Sequence, residues 1–500
     1  NYFSYNRDFN KKHSLGVTLL QSIQQDLQED LSGKVQKLPS DILKYYDLAS
    51  GLMIDGVGSD YIKWNMASFM GRVNYGYMGR YLLTLSARYD GSSRLAEGHK
   101  WVLFPSAALA WRISDEPFMK DLVWLDNLKL RVGYGKTGNS AVSPYQTKGQ
   151  LALRHYVFNN GSSEYIGYAP SVMANDQLTW ETTDQWNVGV DFGFLKNRIN
   201  GTVEFYLQNT KDLLLKRQLP VVSGFSSVMS NVGSTRNKGI EITLNTRNIM
   251  NRNFTWSTDL TFSANKEEIV ELYNGKTDDV GNLWFIGQPI DVYYNYKKIG
   301  IWQNTENDLA EMAKFNEKGA NFKPGSIRLE DVDGDYKITE EDKQILGSVR
   351  PKFVASMVNN FEFKGFDLSV FLYASVGGLL RNNIEFMEKP GRGNTVKVDY
   401  WTSTNPTNAF PRPSVDVEKL DYISTLGYDK ADFLRIRNIT LGYTLPEMWS
   451  KKVLMDKIRI YLSANNPAIF TNFTGIDPEG ANGRTAPSYS TWMFGINLSM

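Results

Sequence analysis

Long two-faced segments in this sequence are joined by two alternating kinds of connection, a tight turn and then a long polar excursion. The pattern is clearest at 66–90. There Phe69, Gly71, Val73 and Tyr75 alternate with Met70, Arg72, Asn74 and Gly76 before the chain turns at Met78-Gly79. On the return, Tyr81, Leu83, Leu85, Ala87 and Tyr89 share one face, while Leu82, Thr84, Ser86, Arg88 and Asp90 share the other, because strand side chains repeat every second residue. One face suits hydrocarbon and the other water. From Tyr81 to Tyr89 a strand rises roughly 27 Å, and a tilt of about 40° leaves roughly 20 Å of height. That approaches the apolar band of about 25 Å, edged by aromatic residues, of a transmembrane β-barrel. Sandwich strands average about 5–6 residues and predict shorter runs.

The same reading predicts about fourteen strands. They fall at 13–24, 66–77, 80–90, 101–113, 127–136, 184–194, 198–209, 237–247, 253–264, 352–363, 366–376, 432–444, 457–466 and 488–500. If the last strand ends in the periplasm, parity assigns the short connections 78–79, 114–126, 195–197, 248–252, 364–365 and 445–456 to that side. The excursions 25–65, 91–100, 137–183, 210–236, 265–351, 377–431 and 467–487 are then extracellular, the asymmetry of bacterial barrels. Tyr293 to Trp302 has strand-like composition, but parity places it inside an excursion, so it is read as loop structure.

Composition agrees. No linker or low-complexity stretch divides the 500 residues, which favours one barrel sector. Lys plus Arg number 55 against 54 Asp plus Glu, so net charge predicts no general attraction to nucleic acid or anionic lipid. No apolar run approaches the roughly 18 residues of a spanning helix, and a barrel needs none because only alternate strand residues meet lipid. The absence of Cys removes disulfides and thiolate zinc sites. Asn1 opens the chain without an initiator Met, a charged n-region or an apolar signal core, so the natural protein is expected to begin further upstream.

With the strands placed, several segments carry a resemblance in order along the chain: Leu128 to Asn139 (LKLRVGYGKTGN), Asn237 to Ile242 (NKGIEI), and Gly287 to Ile290 (GQPI) with Gly300 to Gln303 (GIWQ). Asp331 to Asp342 (DVDGDYKITEED), Phe366 to Phe371 (FDLSVF) and Phe433 to Tyr443 (FLRIRNITLGY) continue it. Together they resemble the C-terminal part of the SusC/RagA family of TonB-dependent outer-membrane transporters. The resemblance implies a barrel of about 22 strands with an N-terminal plug, of which residues 1–500 would be the C-terminal portion. It also implies a Gram-negative outer-membrane location, a SusD-like surface lipoprotein that captures an oligomer, and TonB acting through the missing N-terminal region. A dimer of such pairs fits the same picture. The last strand presents Trp492, Phe494, Ile496, Leu498 and Met500 on one apolar face and resembles a barrel-assembly signal, with Met500 in place of the usual terminal aromatic.

Asp331, Asp333, Asp335 and Asp342 occupy positions 1, 3, 5 and 12 of a calcium loop, with the Lys337 backbone carbonyl at position 7. A hard divalent ion needs several oxygens converging at about 2.3–2.6 Å. The departures are Tyr336 where Gly makes the sharp bend and Asp in place of Glu at position 12. The alternative is an acidic turn capped by its own Asp side chains. Gly133-x-Gly135-x-x-Gly138 matches a dinucleotide spacing but lacks the following helix, so no organic cofactor is expected and Gly133 and Gly135 read as small lumen-side residues. Trp180, Trp284, Tyr293, Tyr294, Tyr296, Trp302 and Trp401 lie in extracellular excursions, where flat rings stack on sugar faces or else pack the loops.

His13, His99 and His155 are scattered, and no Gly-x-Ser-x-Gly or metal-protease His pair occurs, so no enzyme is expected. The leading expectation is energy-coupled import of oligosaccharides. Oligopeptide import, a structural or adhesive barrel, and a barrel enzyme are the rivals.

Overall fold

The computed structural model describes residues 1–40, 42, 44–161, 163–382, 398–413, 422–480 and 488–500. Fifteen strands form one antiparallel sheet: Tyr2–Phe9, His13–Gln36, Met53–Tyr77, Tyr81–Ser92, Trp101–Arg112, Leu125–Asn139, Glu181–Phe194, Ile199–Lys211, Ser234–Met250, Phe254–Glu271, Phe353–Phe363, Phe366–Val376, Phe433–Thr444, Lys457–Thr471 and Thr491–Ser499. Each pairs with the sheet strand before and after it in the chain, with Tyr2–Phe9 and Thr491–Ser499 at the two edges.

All fourteen expected strands are present, and Tyr2–Phe9 is an addition. It pairs with His13–Gln36 from Phe9↔His13 to Tyr2↔Leu20. The turn between them puts Asn10 at φ 51° and Lys11 at φ 54°. Two consecutive left-handed residues suit the twist of a hairpin, but they are usually announced by Asn-Gly, and Asn-Lys gives no such signal. The new turn, 10–12, falls on the same side as 78–80, so the parity of the remaining connections is unchanged.

The second correction is length. His13–Gln36 and Met53–Tyr77 run 24 and 25 residues, so most of 25–65 is strand rather than loop. Beyond Leu20 and Met66 these two strands pair only with each other, out to Gln36↔Met53. The free part, about twelve pairs long, projects roughly 40 Å. Outside the bilayer no lipid enforces alternation, and Gln24-Gln25-Asp26-Leu27-Gln28-Glu29 carries little period-2 contrast.

The alternation itself is realised as two environments. Tyr81, Leu85, Tyr89, Leu103, Leu109, Trp186, Val188 and Phe205 are exposed on the outer face. In water, each such side chain would forgo on the order of 1.5–3 kcal/mol of burial, whereas hydrocarbon removes that penalty. Aromatic rows edge this face at both ends. Tyr77, Tyr81 and Trp111 stack at 6.2 and 6.3 Å near the short turns, and Phe69, Trp101 and Tyr89 at 6.3 and 5.0 Å near the excursions. The Trp111 indole N–H donates to buried Glu116 at 3.0 Å, and Arg80 holds the other Glu116 oxygen at 2.6 Å, anchoring the lower row.

The opposite face is polar. Arg131 donates to both Asp191 oxygens, at 3.1 and 3.0 Å, and lies 3.6 Å from Glu204, while Lys129 is 3.7 Å from Asp191. Gly189 makes room for that guanidinium, since a Cβ there would sit 2.8 Å from it. Gly133 and Gly135 lie within the strand, opposite Ala108 and Ser106.

The excursions carry structure of their own. The 272–352 segment holds the small sheets Val292–Asn295 with Gln344–Ser348 and Lys298–Ile301 with Ile327–Leu329, and the helix Glu306–Glu317. Tyr293 to Trp302 is thus excursion structure containing two short strands.

Candidate capture site on the excursion side

The site is built from the described parts of three excursions, 272–352, 377–382 with 398–413 and 422–432, and 472–480, which pack onto one another. Its first support is the helix Glu306–Glu317. Thr305 caps it by accepting the Asp308 N–H, and Glu306 and Asp308 place negative charge in its first turn, where the helix dipole favours it. The helix buries Met312 and Phe315 against Trp302 and Phe322. Asp308 also accepts the Gln303 N–H at 2.7 Å and pairs with Arg328 at 3.2 Å, whose guanidinium lies 4.4 Å from the Trp302 ring.

The second support joins segment 398–413 to the strand Lys298–Ile301. Trp401 packs with Ile301, Ile327, Leu329 and Leu426, and its indole N–H donates to Gln303 at 2.8 Å. Lys298 donates to the Asn408 and Ala409 carbonyls, both at 2.7 Å, and burial pushes its ammonium below the usual lysine range.

Between these parts opens a cleft of about 530 Å³, within the usual range for small-molecule sites. Lys297, Gln344, Phe410, Tyr428, Asp429 and Thr474 are among its lining residues. The Tyr428 hydroxyl accepts from Asn295 at 3.2 Å, its ring packs edge-on against Tyr293 at 5.2 Å, and the Thr474 hydroxyl donates to Asp429. Gln344 donates to Glu330 at 2.6 Å and Lys297 pairs with it at 3.1 Å, and in that order they hold the Glu330 carboxyl below its ordinary value. The wall therefore offers hydroxyl, amide, carboxylate and ring faces in one place.

The aromatic residues singled out in the sequence are not an open stacking platform. Trp180, Trp302 and Trp401 are buried, and Trp180 sits edge-on to Phe104 at 5.5 Å with its N–H on the Lys100 carbonyl. Trp284 is half-buried and bridges to Asp279. Tyr294 packs on Phe285 at 4.8 Å, and Tyr296 meets Tyr422 at 5.4 Å. Burial pushes the Tyr293 and Tyr296 hydroxyls up. These rings build the walls of the excursions. Phe410, Tyr428, Asp429 and Thr474, which line the cleft, carry no sequence signal because two separate excursions bring them together against the 272–352 segment.

Of the acidic loop, the structure gathers Asp331, Asp333 and Asp335, with carboxylate oxygens within 4.8 Å of one another. Asp331 accepts the Gly334 and Tyr336 N–H groups at 2.8 and 2.9 Å, and Asp335 accepts that of Lys337 at 2.7 Å. Tyr336 takes φ 63°, the left-handed bend usually left to Gly. Asp342 is fully buried and stands apart, accepting Val332 N–H at 2.8 Å and Thr339 N–H at 2.7 Å. The Asp335 N–H favours the ionised form of Asp333, but desolvation and repulsion from Asp335 and Asp342 outweigh it and hold that carboxyl above its usual range. Mutual repulsion of this kind is what a bound cation would relieve. The Lys337 ammonium, 4.0 Å from Asp335, partly fills that role.

A large antiparallel sheet with one lipid-facing side, one charged side and structured caps over one end defines an outer-membrane barrel receptor. The chain belongs to the TonB dependent receptor-like β-barrel family, whose model matches residues 1–467, and it is SusC-like. It is 32% identical over 530 residues to TonB-dependent receptor P3 of Formosa agariphila, covering 100% of this chain and 52% of that protein. To TonB-dependent receptor SusC of Bacteroides thetaiotaomicron it is 32% identical over 455 residues, covering 87% and 43%. Among solved structures, the RagAB peptide importer in its open-open state superposes with a TM-score of 0.82 at 25% identity, covering 100% of this chain and 54% of that one. The chain spans about half the length of the curated relatives it matches. Members of this family sit in the Gram-negative outer membrane, so the short turns face the periplasm and the excursions face outward.

Proposed function

We propose that the chain forms the C-terminal barrel portion of a transporter that imports oligosaccharides across the outer membrane, with a SusD-like lipoprotein over its mouth and TonB acting on a plug encoded upstream. The observation that carries this reading is the cleft, where Gln344, Asp429 and Thr474 stand beside the rings of Phe410 and Tyr428. Carboxylates and amides bind vicinal hydroxyls, and aromatic rings cover the apolar face of a sugar. The chain covers 52% of TonB-dependent receptor P3, which leaves room for the plug in this reading, and a dimer of transporter–lipoprotein pairs belongs to the same proposal.

The test is calorimetry of the full-length transporter with its lipoprotein against glycan and peptide panels. Asp429→Asn is expected to weaken oligosaccharide binding by roughly tenfold to a hundredfold, the worth of a charge-assisted hydrogen bond. Peptide import is the second reading, favoured by the RagAB neighbours, which are peptide transporters. Binding of peptides alone would reject the oligosaccharide reading.

We further propose that Asp331, Asp333, Asp335 and the Lys337 carbonyl hold Ca²⁺, with Asp342 bracing the loop from beneath. Adding calcium to chelator-stripped protein is then expected to protect the 327–345 segment from proteolysis, and D331N/D333N to abolish that protection. A digestion pattern indifferent to calcium in the unaltered protein sinks the assignment.

A further inference from the structure

A second cavity, of about 420 Å³, lies on the same side of the membrane and shares no lining residue with the cleft. It sits along the edge of Met53–Tyr77 just beyond the point where Tyr81–Ser92 stops pairing with it. Two other segments close it, 93–100 and 144–148. The freed strand edge is held by side chains: the Tyr145 hydroxyl accepts the Lys63 N–H at 3.1 Å, and the Ser93 hydroxyl accepts the Asn65 N–H at 2.8 Å. Leu95, 1% exposed, forms the floor, and the Trp180 indole fixes the backbone of Lys100 through its carbonyl at 2.8 Å. The pocket is therefore braced by the loop core beneath it.

Its chemistry is unlike that of the cleft. Lys63, Lys100 and Lys148 line it against the single acid Glu97. Among the described residues none of the three lysines forms an ion pair. Elsewhere on this side some basic groups are matched, as Arg328 is by Asp308 and Glu311 and Arg350 by Glu267 and Asp291, whereas here three unmatched lysines line one cavity. Tyr61 and Tyr145 are exposed beside the lysines, and Trp64 lies under the Arg94 guanidinium, 3.8 Å from its ring, which adds a fourth positive charge behind the wall. Asn65 and Thr147 supply neutral hydrogen-bonding groups. Unpaired ammonium groups attract anions as point charges, and exposed phenol rings cover a flat apolar face.

We propose that this pocket binds an anionic sugar unit, one carrying a carboxylate, sulfate or phosphate on its ring. Such a group reaches the outer surface from two sources, an acidic oligosaccharide in transit or the phosphorylated headgroup of outer-leaflet lipopolysaccharide. The proposal concerns binding alone and holds whether or not the first cleft captures cargo for import.

The test is titration of the full-length transporter, in detergent at low salt, with trigalacturonate and with its fully methyl-esterified form, which keeps the rings and loses the charge. The acid is expected to bind and the ester to bind at least roughly tenfold more weakly, with the difference shrinking at high salt. Lys63→Gln combined with Lys148→Gln is expected to weaken the acid roughly tenfold and leave the ester unchanged, the size appropriate to two exposed charge contacts. An unchanged far-ultraviolet sheet spectrum shows that the variant is folded. Competition with lipopolysaccharide vesicles separates the sources: displacement of the acid from unaltered protein assigns the lipid headgroup, and its absence assigns soluble glycan. Failure of the acid to bind, equal affinity for acid and ester, or an unaffected double variant each overturns the proposal.

Discussion

Replacing Trp302 by alanine is expected to unfold the 272–352 excursion while leaving the barrel intact. The ring is 1% exposed and packed among Met312, Phe315 and Phe322, with the Arg328 guanidinium over one face. Removing a large buried aromatic costs about 3–5 kcal/mol through lost transfer energy and the cavity left behind. That loss falls on a small core attached to the sheet by connections, so the opening is local. In outer-membrane vesicles a protease should cut 303–345 faster by two orders of magnitude or more, while the barrel keeps its heat-modifiable migration. Trp302→Phe should restore most of the protection. Equal digestion of Trp302→Ala and unaltered protein would mean that the excursion is held by something other than this core.

Arg435→Met is expected to release the 472–480 segment by a comparable margin. Arg435 and Asp477 are both buried, 2.6 Å apart, and the same guanidinium lies 2.9 Å from Glu479, which also pairs with Arg437. Taking away one partner leaves a buried carboxylate uncompensated, at a cost of about 3–5 kcal/mol. Burial would raise the Asp477 carboxyl, but the Ser488 hydroxyl, the Glu479 N–H and Arg435 outweigh it and hold it below its ordinary value. A lowered carboxyl contributes stability above its unfolded pKa of about 3.9 and loses it as pH falls through the lower folded value. The segment should therefore stay protected at mildly acidic pH and open only in strong acid, and Arg435→Met should move that opening to higher pH. Arg435→Met with Asp477→Leu should recover much of the loss, because an apolar pair can replace a buried ion pair. A pH profile identical in the single variant and the parent would refute the assignment.

The barrel was legible because lipid imposes a strict rule on alternate residues, and Tyr81 to Tyr89 or Trp186 to Phe192 obey it. Where that rule lapses, reading lapses with it. Tyr2–Phe9 alternates too, but it is short and ends in a turn without glycine. Residues 25–36 and 53–65 extend their strands with no lipid to pattern them. The cleft was illegible for a different reason. Trp302 and Trp401 look alike in sequence to any ring that stacks on a ligand, and only the fold shows them closed over by Phe322 and Leu426. Phe410, Asp429 and Thr474 are unremarked polar and aromatic positions until their two excursions converge on the 272–352 segment. The acidic loop lies between these cases, since its spacing shows which carboxylates gather but not that Asp342 turns beneath them.

The hairpin formed by His13–Gln36 and Met53–Tyr77 stands clear of the sheet for roughly 40 Å. With the excursions facing outward, the hairpin carries its tip past the ends of the neighbouring strands, so a protease added from outside is expected to reach residues 37–40 and 44–52 before the sheet. Changes at that tip touch neither the cleft nor the charged wall of the barrel. Outward reach and the charged face of the sheet are thereby separated along one strand pair, so the tip can change in sequence without disturbing the wall below it.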